Sequence, residues 1–531
     1  MPTLIEEATR RRTFAIISHP DAGKTTITEK LLLYANAISL AGSVKARKAA
    51  RHAISDWMQM ERERGISITS SVLQFEHLGS AINLVDTPGH ADFSADTYRT
   101  LAAVDSALMV MDHSKGVEPR TRKLFEVCRL RRLPVVTFMN KLDRHGLEPL
   151  ALVDDVAATL DLRIAPLNWP VGMGRDFRGV VELATGTLHL YATGEHHGQQ
   201  QAEAAQLPWA SDEAEEAVGA AMHAHVSEEL ELLAEAGDGW DPDAYMSGDL
   251  SPLFWGSAMT NFGVEPLLGF ISRHMAPPAP REPEEGRAVS PADDRFTGMV
   301  FKIQANMNPR HRDRVAFVRV VSGHFERGMD VRIGRTGEKI RLSNPHSFMA
   351  QDRELVTGAW PGDIVGVHDS GNLRVGDTLA GGEPLRYTGI PQFAPEHFGQ
   401  MRLKDPLKRK SLDAGVEQLS QEGVVQVFYR GIKERQDPYL GVVGLLQFEV
   451  LKERLKNEYS VQADLVSLPF KHARWVGGDP AGVAWLRGRS DYVHVIDRFE
   501  RTVVLAEREW SFNYALEHAP GLELYDIEPL D

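Results

Sequence analysis

The sequence predicts a multidomain protein: a doubly wound α/β domain carrying an acidic helical insertion, then a small β-barrel, then an α+β domain. Three observations lead there. Apolar, β-branched runs alternate with helical patterns through the first third of the chain. The stretch 276–292, APPAPREPEEGRAVSPA, holds five prolines and reads as a stiff extended linker. Beyond it the pattern changes to short β-rich runs separated by glycine turns, and then to mixed helix and strand. A length of 531 residues is consistent with this count, since domains commonly take about 100–200 residues each.

The runs Thr13–Ser18, Ala81–Asp86, Ala107–Asp112 and Val135–Asn140 read as buried parallel strands, each followed by turn or helix-start residues. Helical patterns at Lys24–Asn36 and Arg120–Arg131 lie between them, which gives the βαβα alternation of a doubly wound sheet. Leu253–Ala258 is expected to close that sheet. About 110 residues separate it from Asn140, too many for one connection, so a largely helical insertion over about 160–250 is expected to fill the gap. The first domain then spans 1–276, the linker 277–292, the barrel 293–390 and the α+β domain 391–531. In the last of these, helices are expected at Pro406–Gln421 and Leu446–Glu458 and strands at Val424–Tyr429 and Arg501–Ala506.

Composition narrows the function classes. At 43% hydrophobic and 25% charged residues, the chain has the balance of a folded soluble protein. Cys128 is the only cysteine, which excludes an internal disulfide and speaks against a cysteine-built metal centre. No run of about 18 apolar residues and no signal-peptide pattern is present, so a cytoplasmic protein without a membrane span is expected. The net charge of -15 is unevenly placed: no Lys or Arg lies between Arg178 and Arg273, while 16 Asp and Glu do. A solvated acidic surface is the preferred reading of that stretch over a dedicated binding site, and basic clusters elsewhere remain available to phosphate.

Chemistry concentrates in three segments. Ser18, His19, Pro20, Asp21, Ala22, Gly23, Lys24, Thr25 and Thr26 follow the first strand and open a helix, the arrangement of a phosphate-binding loop. Such a loop needs backbone N–H groups at a helix start, a lysine ammonium on the β- and γ-phosphates, and a hydroxyl, here Thr25, on Mg²⁺. Alone the pattern is weak, arising by chance in roughly 0.3 of chains this long. Asp86, Thr87, Pro88, Gly89 and His90 follow the second of the predicted strands, setting a carboxylate at a strand end and a glycine amide where a γ-phosphate would sit. Asn140, Lys141, Leu142 and Asp143 end another strand. There the Asp143 carboxylate can accept from the N1–H and exocyclic amine of guanine, a donor pair that adenine lacks. Three such patterns together by accident have odds of about a few in a thousand. Singly, Asp86 could be a helix cap and Asn140 a turn residue.

The order and spacing resemble the translational GTPases. By that resemblance, Arg64-Gly-Ile-Ser67-Ile68 is the first switch segment and Asp86 to His90 the second. Ser67 then takes the place of a Mg²⁺-binding hydroxyl, Asp86 reaches the ion through water, His90 orients the attacking water, and Ser257 and Ala258 belong to the guanine-contacting loop. Ser18 and Pro20 depart from the family's usual residues in the phosphate loop and beside the histidine. Segments such as FTGMVFKIQANMNPRHRDRVAFVRVVSG, FAPEHFGQMRLKDPLKRK and VGLLQFEVLKERLKNEY are similar to the bacterial peptide chain release factor 3 family within that group. This similarity implies GTP hydrolysis with Lys24, Gly89 and His90 as the catalytic groups and Mg²⁺ as cofactor. It also implies the 70S ribosome with its RNA and class I release factors as partners, and a monomeric chain. Another translational GTPase, or a non-ribosomal switch, is the alternative.

Two further groups carry a weaker signal. His19, His52, His77, His311 and His346 form no i, i+4 ligand pair, so surface or capping roles are preferred to metal binding. Arg402, Lys404, Lys408, Arg409 and Lys410 read as a solvated helix face by themselves, and as phosphate contacts if the partner is ribosomal.

Overall fold

The computed structural model describes residues 2–37, 68–191, 204–305, 314–343, 346–349, 352–355, 357–388, 390, 392–432 and 436–528, with the backbone alone at 236, 305, 346–349 and 352–355. The first domain is built on a seven-stranded sheet whose strands are β1 (Arg11–Ser18), β2 (Ser71–His77), β3 (Ser80–Asp86), β4 (Ser106–Asp112), β5 (Val135–Asn140), β6 (Arg163–Pro166) and β11 (Leu250–Trp255). Their order is β2-β3-β1-β4-β5-β11-β6, and every pairing is parallel except that of β2 with β3. Every residue of β1 and β4 is buried, because helices cover both faces. The side chains alternate accordingly: Ala15 and Ile17 enter the core on one face, Phe14 and Ile16 that on the other.

Two expectations need correction. β11 does not close the sheet, because β6 pairs outside it. That strand has four residues, too short a run to stand out in sequence. The insertion, expected to be largely helical, also carries a sheet: β7 (Asn168–Val171), β8 (Gly179–Glu182), β9 (Thr187–Tyr191) and β10 (Ala204–Pro208) pair antiparallel beside the helices Asp212–Val218, Ala220–Ala236 and Pro242–Ser247. Trp169, Val180, Val181 and Leu188 bury that sheet against the core of the parallel one.

The proline-rich stretch is not a free spacer. It doubles back through an antiparallel bridge between Arg281 and Val289, and the Glu284 N–H donates to the Arg386 carbonyl at 2.8 Å. After it, an eight-stranded antiparallel sheet wraps a core that includes Val300, Ile303, Val318, Val320 and Phe325. The C-terminal domain carries a second eight-stranded sheet with the helices Arg409–Gln421, Leu446–Tyr459, Pro480–Arg487 and Trp510–His518. Its last strands, Val493–Asp497, Thr502–Ala506 and Leu522–Tyr525, belong to the same sheet as the first.

Polar contacts fix the barrel against the first domain. Arg11 pairs with Asp363 at 2.8 Å, Arg319 with Asp105 at 2.5 Å, and the Thr13 hydroxyl donates to the Gly362 carbonyl at 2.6 Å. Gly362 is required there: its φ is +108°, and a Cβ would lie 2.8 Å from Pro278 and 2.9 Å from Arg11. Among the described residues, no helix is long and apolar enough to cross a membrane.

Candidate nucleotide site

The three sequence segments converge at the carboxyl ends of β1, β3 and β5, where an open parallel sheet offers its ligand crevice. The loop Ser18–Gly23 leads into the helix Lys24–Tyr34, whose N-cap, Gly23, makes no side-chain capping bond. The first amides of that helix therefore point into the crevice without a side-chain acceptor, as an anion site needs. Asp21, at φ +65°, and Gly23, at φ +100°, take left-handed conformations that bend the loop round.

Asn140 joins the segments. Its Nδ2 donates to the Ala22 carbonyl at 2.8 Å and its Oδ1 accepts from the Ala258 N–H at 2.9 Å, so one buried amide ties the phosphate loop to the Ser257–Ala258 loop. Ser257 donates its hydroxyl to Asp143 Oδ1 at 2.6 Å, holding that carboxylate in a fixed direction. Lys141, at φ +72°, reaches back to Asp112 Oδ2 at 2.8 Å. Burial pushes the Asp112 carboxyl up, but bonds from Lys141 and Ser114 outweigh it and hold it below the usual carboxylate range. Leu142 is fully buried and anchors the turn by donating its N–H to the Gly256 carbonyl.

On the phosphate side, the Lys24 ammonium pairs with Asp86 Oδ1, and both side chains are buried. Asp86 Oδ2 is buried with no hydrogen-bond partner. An orphaned carboxylate oxygen at a strand end, with the Thr25 hydroxyl in the first turn of the helix that follows the phosphate loop, offers hard oxygen donors of the kind that suit Mg²⁺ and its bound water. The Thr87 hydroxyl donates to the Ile16 carbonyl at 2.6 Å, fixing the following Pro88–Gly89 turn to β1. A Cβ on Gly89 would lie 3.6 Å from the Pro20 backbone, so the two phosphate-side loops face each other closely. His90 Nδ1 stands 3.3 Å from the Asp92 N–H and 3.1 Å from its carboxylate; a neutral ring accepts from the first and a charged ring pairs with the second. Ser67, with Arg64 to Ile66, lies outside the described residues.

The structure adds a seam that sequence reasoning missed. Directly after His90, Asp92 Oδ2 accepts the Leu446 N–H of the C-terminal domain at 2.8 Å. Phe93 packs with Ile68 and with Val450 of that domain. Arg99 donates to the Glu422 carbonyl at 3.1 Å, and Glu422 pairs with the buried Arg454 at 2.8 Å. From the barrel, Lys302 donates to the Ser70 carbonyl, while Ser70 donates its N–H and hydroxyl to Asp96 Oδ2 at 2.6 and 2.7 Å. All three domains therefore hold the segments flanking the nucleotide crevice. Replacing Asp92 by Ala will speed hydrogen exchange at the Leu446 amide and lower stability by about 1 kcal/mol, the worth of one such bond. Unchanged exchange at Leu446 would show that this bond does not hold the seam.

The other groups fall as follows. His19 faces Glu118 at 3.3 Å and His77 Nδ1 meets the Ser272 hydroxyl at 2.7 Å; His52 and His311, and the His346 side chain, are outside the described residues. A trio absent from the sequence reading, Glu148, His225 and Glu229, brings three possible ligand atoms within 4.8 Å of one another. Glu229 there already accepts from Trp169 Nε1 at 2.9 Å. Of the basic cluster, Lys404 and Arg409 are paired with Asp464, and with Asp413 and Asp437, respectively, while Arg402 and Lys410 are exposed.

Residues 9–277 match the family model described as the Elongation factor Tu GTP binding domain, 295–382 that of Elongation factor G domain 2, and 387–516 that of Class II release factor RF3, C-terminal domain. A crystal structure of a protein from Thermus thermophilus aligns with a TM-score of 0.66 over 88% of this chain and 70% of that one, at 23% identity, a likeness of fold. Peptide chain release factor 3 of Symbiobacterium thermophilum is 54% identical over 523 residues, 98% of each chain. With a guanine-nucleotide crevice held by a barrel and by a release-factor C-terminal domain, the chain belongs to the peptide chain release factor 3 family of translational GTPases.

Proposed function

We propose that the chain acts in translation termination, hydrolysing GTP on the ribosome and thereby promoting dissociation of class I release factors after peptide release. The observation that carries this reading is the seam at Asp92: the segment bearing Gly89 and His90 is bonded directly to the domain that matches class II release factors. A change of that segment with the γ-phosphate is thus felt by the C-terminal domain without an intermediary. The protein works in the cytoplasm as a monomer, with ribosomal RNA among its contacts.

The residues divide the chemistry. The helix-start amides and Lys24 take the phosphates, the ammonium exchanging Asp86 for β- and γ-oxygens. The Gly89 N–H faces the γ-phosphate, and Asn140, Asp143, Ser257 and Ala258 read the guanine. Thr25, Ser67 and Asp86, the last through water, would hold Mg²⁺, which when bound would supply charge neutralisation on the phosphate oxygens. His90 orients the attacking water. The ribosome is expected to complete that positioning, so hydrolysis by the protein alone is slow.

Replacing Asp143 by Asn will weaken guanine nucleotides and favour xanthine ones, because the amide can donate to the C2 carbonyl that replaces the guanine amine. Unchanged GDP and GTP affinity in a direct titration would remove Asp143 from the base site. For the function itself, the protein with GTP is added to post-release ribosomes bearing a labelled class I factor. Faster dissociation of the label, with messenger RNA unmoved, is expected; accelerated translocation or unchanged dissociation would overturn the assignment.

A further inference from the structure

A cavity of about 360 Å³ opens where the three domains meet, away from the nucleotide crevice. Six arginines and three carboxylates line it, in a protein whose net charge is -15. The carboxylates are already engaged. Asp377 pairs with Arg335 at 2.8 Å, Glu284 with Arg386 at 3.2 Å, and Glu528 with Arg501. Arg99 is 3.6 Å from Asp96 and bonds carbonyls of the C-terminal domain.

Arg374 from the barrel and Arg498 from the C-terminal domain are different. Among the described residues neither has a carboxylate within ion-pair distance. Arg498 makes one long side-chain hydrogen bond, to the Ser420 carbonyl at 3.4 Å. Both guanidinium groups lie against Phe499, their carbons 5.5 and 4.6 Å from its ring centroid. Loss of solvent and then the neighbouring Arg374 push Arg498 down to about 10, which still leaves it charged at neutral pH. Two like charges from different domains are thus brought together with no counter-charge in contact, an arrangement that an anion between them would stabilise.

We propose that this cavity is an anion site that takes a compact oligophosphate, with Arg374 and Arg498 as its principal ligands. A single carboxylate would neutralise only one of the two guanidinium groups that lack a carboxylate partner, whereas a pyrophosphate or triphosphate group matches both. Planar guanidinium forks suit phosphate oxygens. Guanidinium groups already occupy the Phe499 ring, since Arg501 also approaches it, at 4.8 Å, so the aromatic surface is not offered to a base. Phosphate, rather than a nucleobase, is therefore what the site recognises. The recess between domains, of the size of a small-ligand pocket, suits a small anion better than a nucleic-acid backbone, which needs an extended track.

The test keeps the nucleotide crevice filled by GDP, with Mg²⁺ in excess, and titrates inorganic tripolyphosphate and, separately, ATP by calorimetry. ATP is excluded from the guanine site, so its phosphates report on the new one. One additional site per chain is expected, with similar affinity for both probes. Arg374→Ser and Arg498→Gln will each weaken it about tenfold or more while GDP affinity stays that of the wild type, which also shows that the variants fold. No binding to the GDP-filled wild type, binding in both variants as tight as in the wild type, or binding of ATP without tripolyphosphate would overturn the proposal. So would binding of a short single-stranded RNA through the same two arginines without any response to tripolyphosphate.

Discussion

Replacing His90 by Ala leaves GTP binding nearly intact and lowers ribosome-stimulated hydrolysis by about 100-fold or more, because only the positioning of water in the transition state is removed. The geometry supports that separation. The side chain is 36% exposed, so its loss opens no core cavity. The hydrogen bond it accepts from the Asp92 N–H, at 3.3 Å, caps a three-residue 3₁₀ turn and is worth about 1 kcal/mol or less. Asp92 keeps its bond to Leu446 in the variant, so the seam with the C-terminal domain survives. Single-turnover hydrolysis on ribosomes, alongside thermal unfolding, decides the matter. Lowered stability with normal turnover would make His90 a structural residue.

The chemistry of the crevice was legible in sequence because each of its parts is contiguous. A phosphate loop, an Asp-Thr-Pro-Gly turn and an Asn-Lys-Leu-Asp turn each carry their residues within a few positions, and each follows a β-branched run. What holds those parts together was not legible. The bond from the Leu446 amide to Asp92 spans 354 positions and uses a backbone group that no residue type advertises. Asn140 was readable as part of the guanine motif, yet its bridge between Ala22 and Ala258 depends on where three loops arrive. The sheet of the insertion was hidden by composition. Its strands have four or five residues and precede a glutamate-rich stretch that favours a helical reading, while their burial comes from Trp169 and Leu188 meeting a core formed elsewhere. The linker's prolines suggested a stiff extended spacer; that Arg281 would reach the Ala102 carbonyl and draw the segment back onto the first domain was not legible.

The bridge through Asn140 makes Gly23 the most sensitive position in the phosphate loop, and Gly23→Ala is expected to weaken GDP and GTP by about 100-fold. Two costs combine. At φ +100° an alanine is forced into a left-handed conformation, at about 1–2 kcal/mol. Its Cβ would also stand 2.2 Å from Asn140 Nδ2, well inside contact distance. Asn140 cannot step aside cheaply, since it is buried and its two bonds hold Ala22 and Ala258; leaving one partner unsatisfied costs about 1–3 kcal/mol. A total of about 3 kcal/mol in the crevice corresponds to about two decades of affinity. Gly186→Ala is the control. Its φ is +63°, but nothing lies within 4 Å of an added Cβ, so only the backbone cost applies, and it applies far from the crevice. That variant loses stability modestly and binds nucleotide as the wild type does. If Gly23→Ala weakened nucleotide no more than Gly186→Ala, the Asn140 bridge would not be what sets the shape of the phosphate loop.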